Sequence, residues 1–216
     1  MHIIEQRLLR GPNLYGQAPC LMALIDLAPL DTQTCNLAQL YQQLEALLPA
    51  LREGAGAPVS WVQLLERLLH ALQRLADGGP QEVDGVRSSH DGQAAGEPTR
   101  FRLVCPYRIE QVATAALALA VRLVDALAQG QAFELDAPLA ALRELAQQRA
   151  MGTSTAAVIT AARRRGIPTQ RLSEESNLFQ LGWGSRQKRL QATITGDAGT
   201  LAVRIASDKQ LTKSLL

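Results

Sequence analysis

Between residues 60 and 75, Trp61, Leu65, Leu68, Leu72 and Leu75 recur at steps of three and four, and this stripe constrains the fold more than any other feature. Such spacing lines one face of an α-helix with apolar side chains, and that face needs a packed partner. Ser60 precedes the stripe and Gln63 follows three residues on, the pattern of a capping box that marks a helix start. A second stripe of Leu37, Leu40, Tyr41, Leu44, Leu47 and Leu48 follows Asn36, a good N-cap, and Pro49 ends or kinks it. Ile109, Val112, Ala116, Leu119, Leu123 and Leu127 predict a third helix whose alanine-rich flank permits close packing. Asp136 and Pro138 open a fourth that ends near Arg149, with a charged flank suited to a connector between domains.

The partner surface is supplied by short strands. Residues 3–9 and 21–27 read as strands joined across Arg10-Gly-Pro-Asn13 into a long hairpin, and residues 101–105 as a third. Residues 77–98 are rich in Gly, Ser, Asp and Gln and read as an exposed loop. The character changes at Met151. Gly152-Thr-Ser-Thr155 opens a short helix that stops at Gly166-Ile-Pro168, a C-cap glycine followed by proline. Residues 178–181 and 190–195 are strand candidates, the second alternating Leu190, Ala192 and Ile194 with Gln191, Thr193 and Thr195. Asp208 caps a last helix. A chain of 216 residues, 47% of them hydrophobic, can hold two small domains. The expected class is α+β: a small sheet packed with several helices, followed by a small α/β lobe. With no closing turn before Leu216, the chain is expected to be a fragment.

Charge divides along the same line. The formal net charge is only +2, yet residues 1–150 carry 12 Lys+Arg against 16 Asp+Glu (−4) and residues 151–216 carry 10 against 4 (+6). The second part attracts anions. Cys20, Cys35 and Cys105 form no CxxC, which argues against a disulfide framework or zinc knuckle and for a reducing cytoplasm. No stretch reaches the roughly 18 uncharged apolar residues of a spanning helix, so no membrane is expected. His2, His70 and His90 do not propose a triad. Gly182-Trp-Gly184 lacks the GK[ST] ending of a phosphate-binding loop. Arg186, Lys188 and Arg189, with Arg163 to Arg165 and Trp183 nearby in sequence, suit a nucleic-acid patch or a solvated or interdomain surface; the modest positive excess favours the latter. Ser154 and Thr155 at a helix start can bind an anionic group or serve as ordinary caps.

The motifs Arg10-Gly-Pro-Asn13, Gly152-Thr-Ser-Thr155, Arg165-Gly-Ile-Pro168, Phe179-Gln-Leu-Gly182, Gln187-Lys-Arg189 and Ala206-Ser-Asp-Lys209 with Thr212-Lys213 follow one another as in the cyanophycin synthetases, which this chain resembles. The resemblance covers essentially the whole chain, with its specific motifs in the last 65 or so residues. It implies an N-terminal domain over residues 1–148 that holds polymer. It also implies the opening, pre-ATP-grasp lobe of a ligase module over residues 151–216. Such enzymes extend a poly-aspartate backbone and attach arginine to its side chains. The family's GPST loop corresponds to Ser154 and Thr155 and receives the growing chain's carboxylate. Many members also carry an HxxEH helix suited to zinc. Gln63-Leu-Leu-Glu-Arg67 stands there, with both histidines replaced and Glu66 in the general-base position, so a metal-dependent hydrolase is not expected. Arg204 stands where relatives usually have an acidic residue, so the resemblance implies a divergent or variant member.

These readings lead to the N-terminal portion of an ATP-dependent peptide ligase that binds and positions an aspartate/arginine polymer. Ser154, Thr155, Arg186, Lys188, Arg189 and Arg204 are the substrate-binding candidates. No catalytic residue, metal site or cofactor is assigned to this chain; ATP and magnesium are expected of the intact ligase. The expected partners are the cyanophycin-like polymer and the remaining ligase domains, in a homo-oligomer when intact. The alternative is a non-catalytic interaction module that binds a partner ligase or a polyanion.

Overall fold

The computed structural model describes residues 1–30, 35–53, 56–79 and 99–215, without the side chains of residues 53, 200–201, 204–205, 211 and 214–215. His90, most of the expected loop over residues 77–98 and the side chain of Arg204 therefore lie outside the described residues. Two compact units emerge, Met1–Ala150 and Met151–Leu216. The fold is α+β, with helices and two small antiparallel sheets.

In the first unit, β1 (His2–Leu9), β2 (Cys20–Asp26) and β3 (Arg100–Pro106) form a sheet in that order. On β2 the two-residue period separates two faces. Leu21, Ala23 and Ile25 join Phe101, Leu103 and Cys105 in the main core, while Cys20, Met22 and Val104 form a small cluster with Leu9 and Tyr15 on the other side. β1 does not alternate strictly, and a bulge explains why. Ile3 pairs Ile25 and Leu8 pairs Leu21, five residues apart yet on one face, because the register shifts between Ile3 and Glu5. Past that shift Gln6 also faces the helices and donates to Thr114 Oγ1 at 2.9 Å. The β1–β2 connection is built around Asn13. Its Nδ2 donates to the Gly11 and Ala18 carbonyls, and its Oδ1 accepts from the Tyr15 N–H.

The helices follow from their caps and stripes. α1 (Leu37–Leu47) starts where Asn36 Oδ1 accepts from the N–H groups of Ala38 and Gln39, and a 3₁₀ turn over Pro49–Glu53 follows it. Of its expected stripe, Leu40, Tyr41, Leu44 and Leu48 are buried, Leu37 is half-buried against them, and Leu47 is exposed. α2 (Trp61–Asp77) buries Leu64, Leu65, Leu68, Leu69, Ala71 and Leu72, a face wider than the predicted stripe because both the sheet and other helices pack on it. Deleting one of these leucines costs about 2–5 kcal/mol. α3 (Glu110–Ala128) is buried on most of its circumference, with Ala113, Ala116 and Ala120 allowing close approach. By length and composition it would cross a membrane (mean hydropathy 1.6), but it is the core helix of this unit. α4 (Asp136–Arg149) is not the expected connector. Leu139, Leu142 and Ala146 complete the same core, and Arg143 Nε donates to the Leu75 carbonyl at 3.2 Å.

The second unit begins with α5 (Thr153–Arg164). It ends at Gly166 in a Schellman arrangement: Gly166 has φ +70°, and the Gly166 and Ile167 N–H groups bond back to the Arg163 and Ala162 carbonyls. A four-stranded antiparallel meander follows, β4 (Thr169–Ser173), β5 (Leu178–Leu181), β6 (Lys188–Gln191) and β7 (Ile194–Thr195), then α6 (Thr200–Ser207) and α7 (Lys209–Leu215). Its core is small: Ile159 of α5 against Phe179 and Leu190, with Met151 and Leu181 at the margin. Three expectations change here. Residues 190–195 are not one strand, because Leu190 pairs Thr195 and Gln191 pairs Ile194 around a two-residue turn. β4 and α6 were not expected at all; β4 reads as too polar because Gln170 and Arg171 interrupt it.

Candidate functional site

Gln63-Leu-Leu-Glu-Arg67 lies in the first turns of α2. Gln63 closes the capping box: its N–H donates to Ser60 Oγ at 3.3 Å, and its Oε1 accepts from the Val59 N–H at 3.0 Å. Arg67 donates to the Gly56 carbonyl. Both positions thus hold the preceding loop against the helix. Further along the same helix, burial lowers the His70 pKa, opposed by Glu66 and reinforced by Arg74. Gln73 is fully buried, and its Nε2 donates to Cys105 Sγ and to the Pro106 carbonyl, each at 3.3 Å. Burial also raises both thiols, Cys20 to about 11 and Cys105 further. Raised thiols resist becoming nucleophiles. Among the described residues no group of three or more His, Cys, Asp or Glu side chains is placed to hold a metal ion.

The second candidate is the N-terminus of α5. Gly152 at the N-cap makes no side-chain cap bond, so the first-turn N–H groups are not satisfied by a capping side chain. Ser154 is exposed beside them. Thr155 is not: it is buried, and its hydroxyl donates to the Ala192 carbonyl at 3.1 Å. Ala192 holds φ +51°, where an L side chain is strained by about 1–2 kcal/mol, and its own N–H donates to the Asn177 carbonyl at 3.1 Å. Asn177, at φ +47°, turns β4 into β5 and accepts from Arg171 at 2.7 Å. Of the two candidate hydroxyls, then, Ser154 faces outward and Thr155 braces the β6–β7 turn. Sequence reasoning missed Ala192, since alanine carries no turn signal; Asn177 carries one.

The basic candidates do not share one face. Lys188 and Arg189 are consecutive on β6, so their side chains point to opposite sides of the sheet. Leu190, one residue on, lies in the core and marks the Lys188 side as the α5 side. Lys188 Nζ is also engaged by both carboxylate oxygens of Asp197, at 2.9 and 3.0 Å. Arg186 and Arg189 are exposed, and their side chains make no hydrogen bond or ion pair among the described residues.

Nor do Arg186 and Lys188 adjoin Ser154. The α5 N-terminus sits at the β6–β7 turn through Thr155. Its C-terminus sits at the other end of the sheet, where Arg163 Nε donates to Thr169 Oγ1 at 2.8 Å. Thr169 pairs Leu181, and Leu181 pairs Lys188. The 12 residues of α5 separate the two ends by roughly 17 Å. Chemically, one end offers helix N–H groups and a serine hydroxyl, suited to one carboxylate. The other offers several exposed cations.

No protein-family model matches the chain. Curated cyanophycin synthetases do match it over its full length. The enzyme of Trichormus variabilis is 29% identical over 228 residues, that of Geminocystis herdmanii 31% over 235, and that of Synechocystis sp. 30% over 228. Each match takes in 100% of this chain but only 25% or 26% of the relative, so the chain spans about a quarter of the length of the curated relatives it matches.

Proposed function

We propose, from the premise that this chain is a divergent relative of the cyanophycin synthetases and corresponds to their N-terminal region, that it binds and positions polymer for an ATP-dependent amide ligase. The observation that carries this reading is the similarity over 100% of the chain. In such a ligase a carboxylate is activated as an acyl phosphate and an amine then attacks it. This chain's residues bind and orient, and ATP with magnesium belongs to the remaining ligase domains, its partners in a cytoplasmic homo-oligomer. Ser154 and the first-turn N–H groups of α5 receive a chain-terminal carboxylate, and orientation there contributes by fixing the approach of the reacting group. Arg186, Arg189 and Arg204 attract the polymer's other carboxylates, while Lys188 is already paired with Asp197.

The test is direct titration of the folded chain with a soluble aspartate/arginine polymer at low and at physiological ionic strength. Binding that weakens with salt, and weakens further in Ser154→Ala and in Arg186→Gln/Arg189→Gln, is expected. A chain that is folded by circular dichroism yet binds no polymer at low salt overturns the reading.

A further inference from the structure

We infer that the end of the second unit remote from Ser154 is a separate contact for the same polymer, in which Trp183 stacks on guanidinium groups while Arg164, Arg165 and Arg186 pair with carboxylates. This rests on the polymer-binding reading and names which groups of the polymer are held at which place.

The juxtaposition follows from the topology. The loop after α5 and the loop between β5 and β6 meet where the Gly182 N–H donates to the Pro168 carbonyl at 2.8 Å. That contact brings the α5 C-terminus, with Arg164, Arg165 and Ile167, to the same end of the sheet as Trp183 and Arg186. All five side chains are exposed there; Ile167 is 39% and Trp183 44% accessible. Trp183 stands between Gly182 at φ +75° and Gly184 at φ +66°, so the ring has no side chain on either sequence neighbour. A Cβ at Gly184 would meet nothing within 4 Å, so the left-handed backbone and not crowding is what demands glycine there.

Charge complementarity selects the occupant. Residues 151–216 carry 10 Lys+Arg against 4 Asp+Glu. Two of those acids are engaged elsewhere, Glu174 beside Arg171 and Asp197 on Lys188. Arg164, Arg165 and Arg186 make no ion pair among the described residues. Three exposed guanidinium groups without an ion pair among the described residues are available to carboxylates from outside. An exposed indole among them adds what a purely anionic ligand would not use, a face for a planar cation or its aliphatic stem. A chain bearing both carboxylate and guanidinium groups satisfies both demands.

The experiment compares three probes on the full chain: an aspartate/arginine polymer, poly-aspartate, and a single-stranded oligonucleotide. Trp183→Ala is expected to weaken the arginine-bearing polymer about tenfold and poly-aspartate less than twofold. Arg164→Gln/Arg165→Gln/Arg186→Gln should weaken both and flatten the salt dependence. Unchanged melting of each variant checks the fold. The inference is overturned if Trp183→Ala binds the arginine-bearing polymer like the wild type, if it weakens both polymers equally, or if the oligonucleotide binds tighter than either. Binding of that polymer that falls in Ser154→Ala but not in Trp183→Ala overturns this inference alone; no binding by the wild type overturns the polymer reading with it.

Discussion

Thr155→Val isolates the bond between the α5 N-terminus and the β6–β7 turn. Valine keeps the shape of the buried side chain and removes only the hydroxyl that donates to the Ala192 carbonyl at 3.1 Å. Removing a buried donor so that its acceptor is left unsatisfied costs about 1–3 kcal/mol. Ala192 itself is exposed, so water can satisfy its carbonyl and the cost falls at the low end, about 1 kcal/mol. That is roughly a fivefold increase in local opening. It matters because the unit's core rests on Ile159, Phe179 and Leu190, together about 5–9 kcal/mol of gross apolar burial. Two compact units make a single unfolding midpoint ambiguous, so amide hydrogen exchange is the assay. The Ala192 N–H, bonded to Asn177, and the Gly196 N–H, bonded to Arg189, should exchange about fivefold faster. The Gly182 N–H at the opposite end should not change. Thr155→Ser should restore the wild-type rates. Unaltered exchange at Ala192 and Gly196, or an equal rise at Gly182, would refute a local brace.

Two further outcomes follow from the first unit. Burial holds Cys20 near 11 and Cys105 higher still, so a thiol reagent at pH 8 should titrate half-buried Cys35 first and the other two only after denaturation; rapid native labelling of Cys20 contradicts this. Burial lowers the His70 pKa below its ordinary 6.5, so below that pH the unfolded chain binds the proton more readily. Stability should therefore decline as pH falls from about 6.5 towards the folded value. His70→Gln should flatten denaturation midpoints compared between pH 7.5 and 5.5, and an unchanged slope would count against His70 as the source.

What the sequence disclosed was chiefly local chemistry. Asn36 and Ser60 announce helix starts because one side-chain oxygen suffices to cap, and Gly166 announces a helix end because its backbone is left-handed. The leucine stripe of α2 was legible, but Gln73 was not, since its burial depends on Cys105 and Pro106 arriving from β3. The α4 helix looked like a connector because its charged flank is visible in sequence, whereas its packing on α2 and α3 is not. At the candidate site the hydroxyls of Ser154 and Thr155 are indistinguishable as letters. The hairpin at Ala192, which decides that one faces out and the other in, carries no turn residue to reveal it.

The same hairpin separates groups that the sequence runs together. Lys188 and Arg189 are adjacent in sequence and opposed in space, and Ser154 lies a helix length from Arg186. A site that positions one carboxylate for reaction benefits from rigidity, because a misplacement of about 1 Å costs far more than a weak contact. The α5 N-terminus has that character: its first turn is tied through Thr155 to a strained turn that is itself tied to Asn177. A contact that keeps hold of a repeating chain as it lengthens benefits from the opposite, since long arginine side chains can follow successive equivalent groups. The far end, with three arginines that make no ion pair among the described residues and an indole between two glycines, has that character. If both proposed contacts hold polymer, their separation by the length of α5, about 17 Å, raises the local concentration of a polymer end at Ser154 without any single tight interaction.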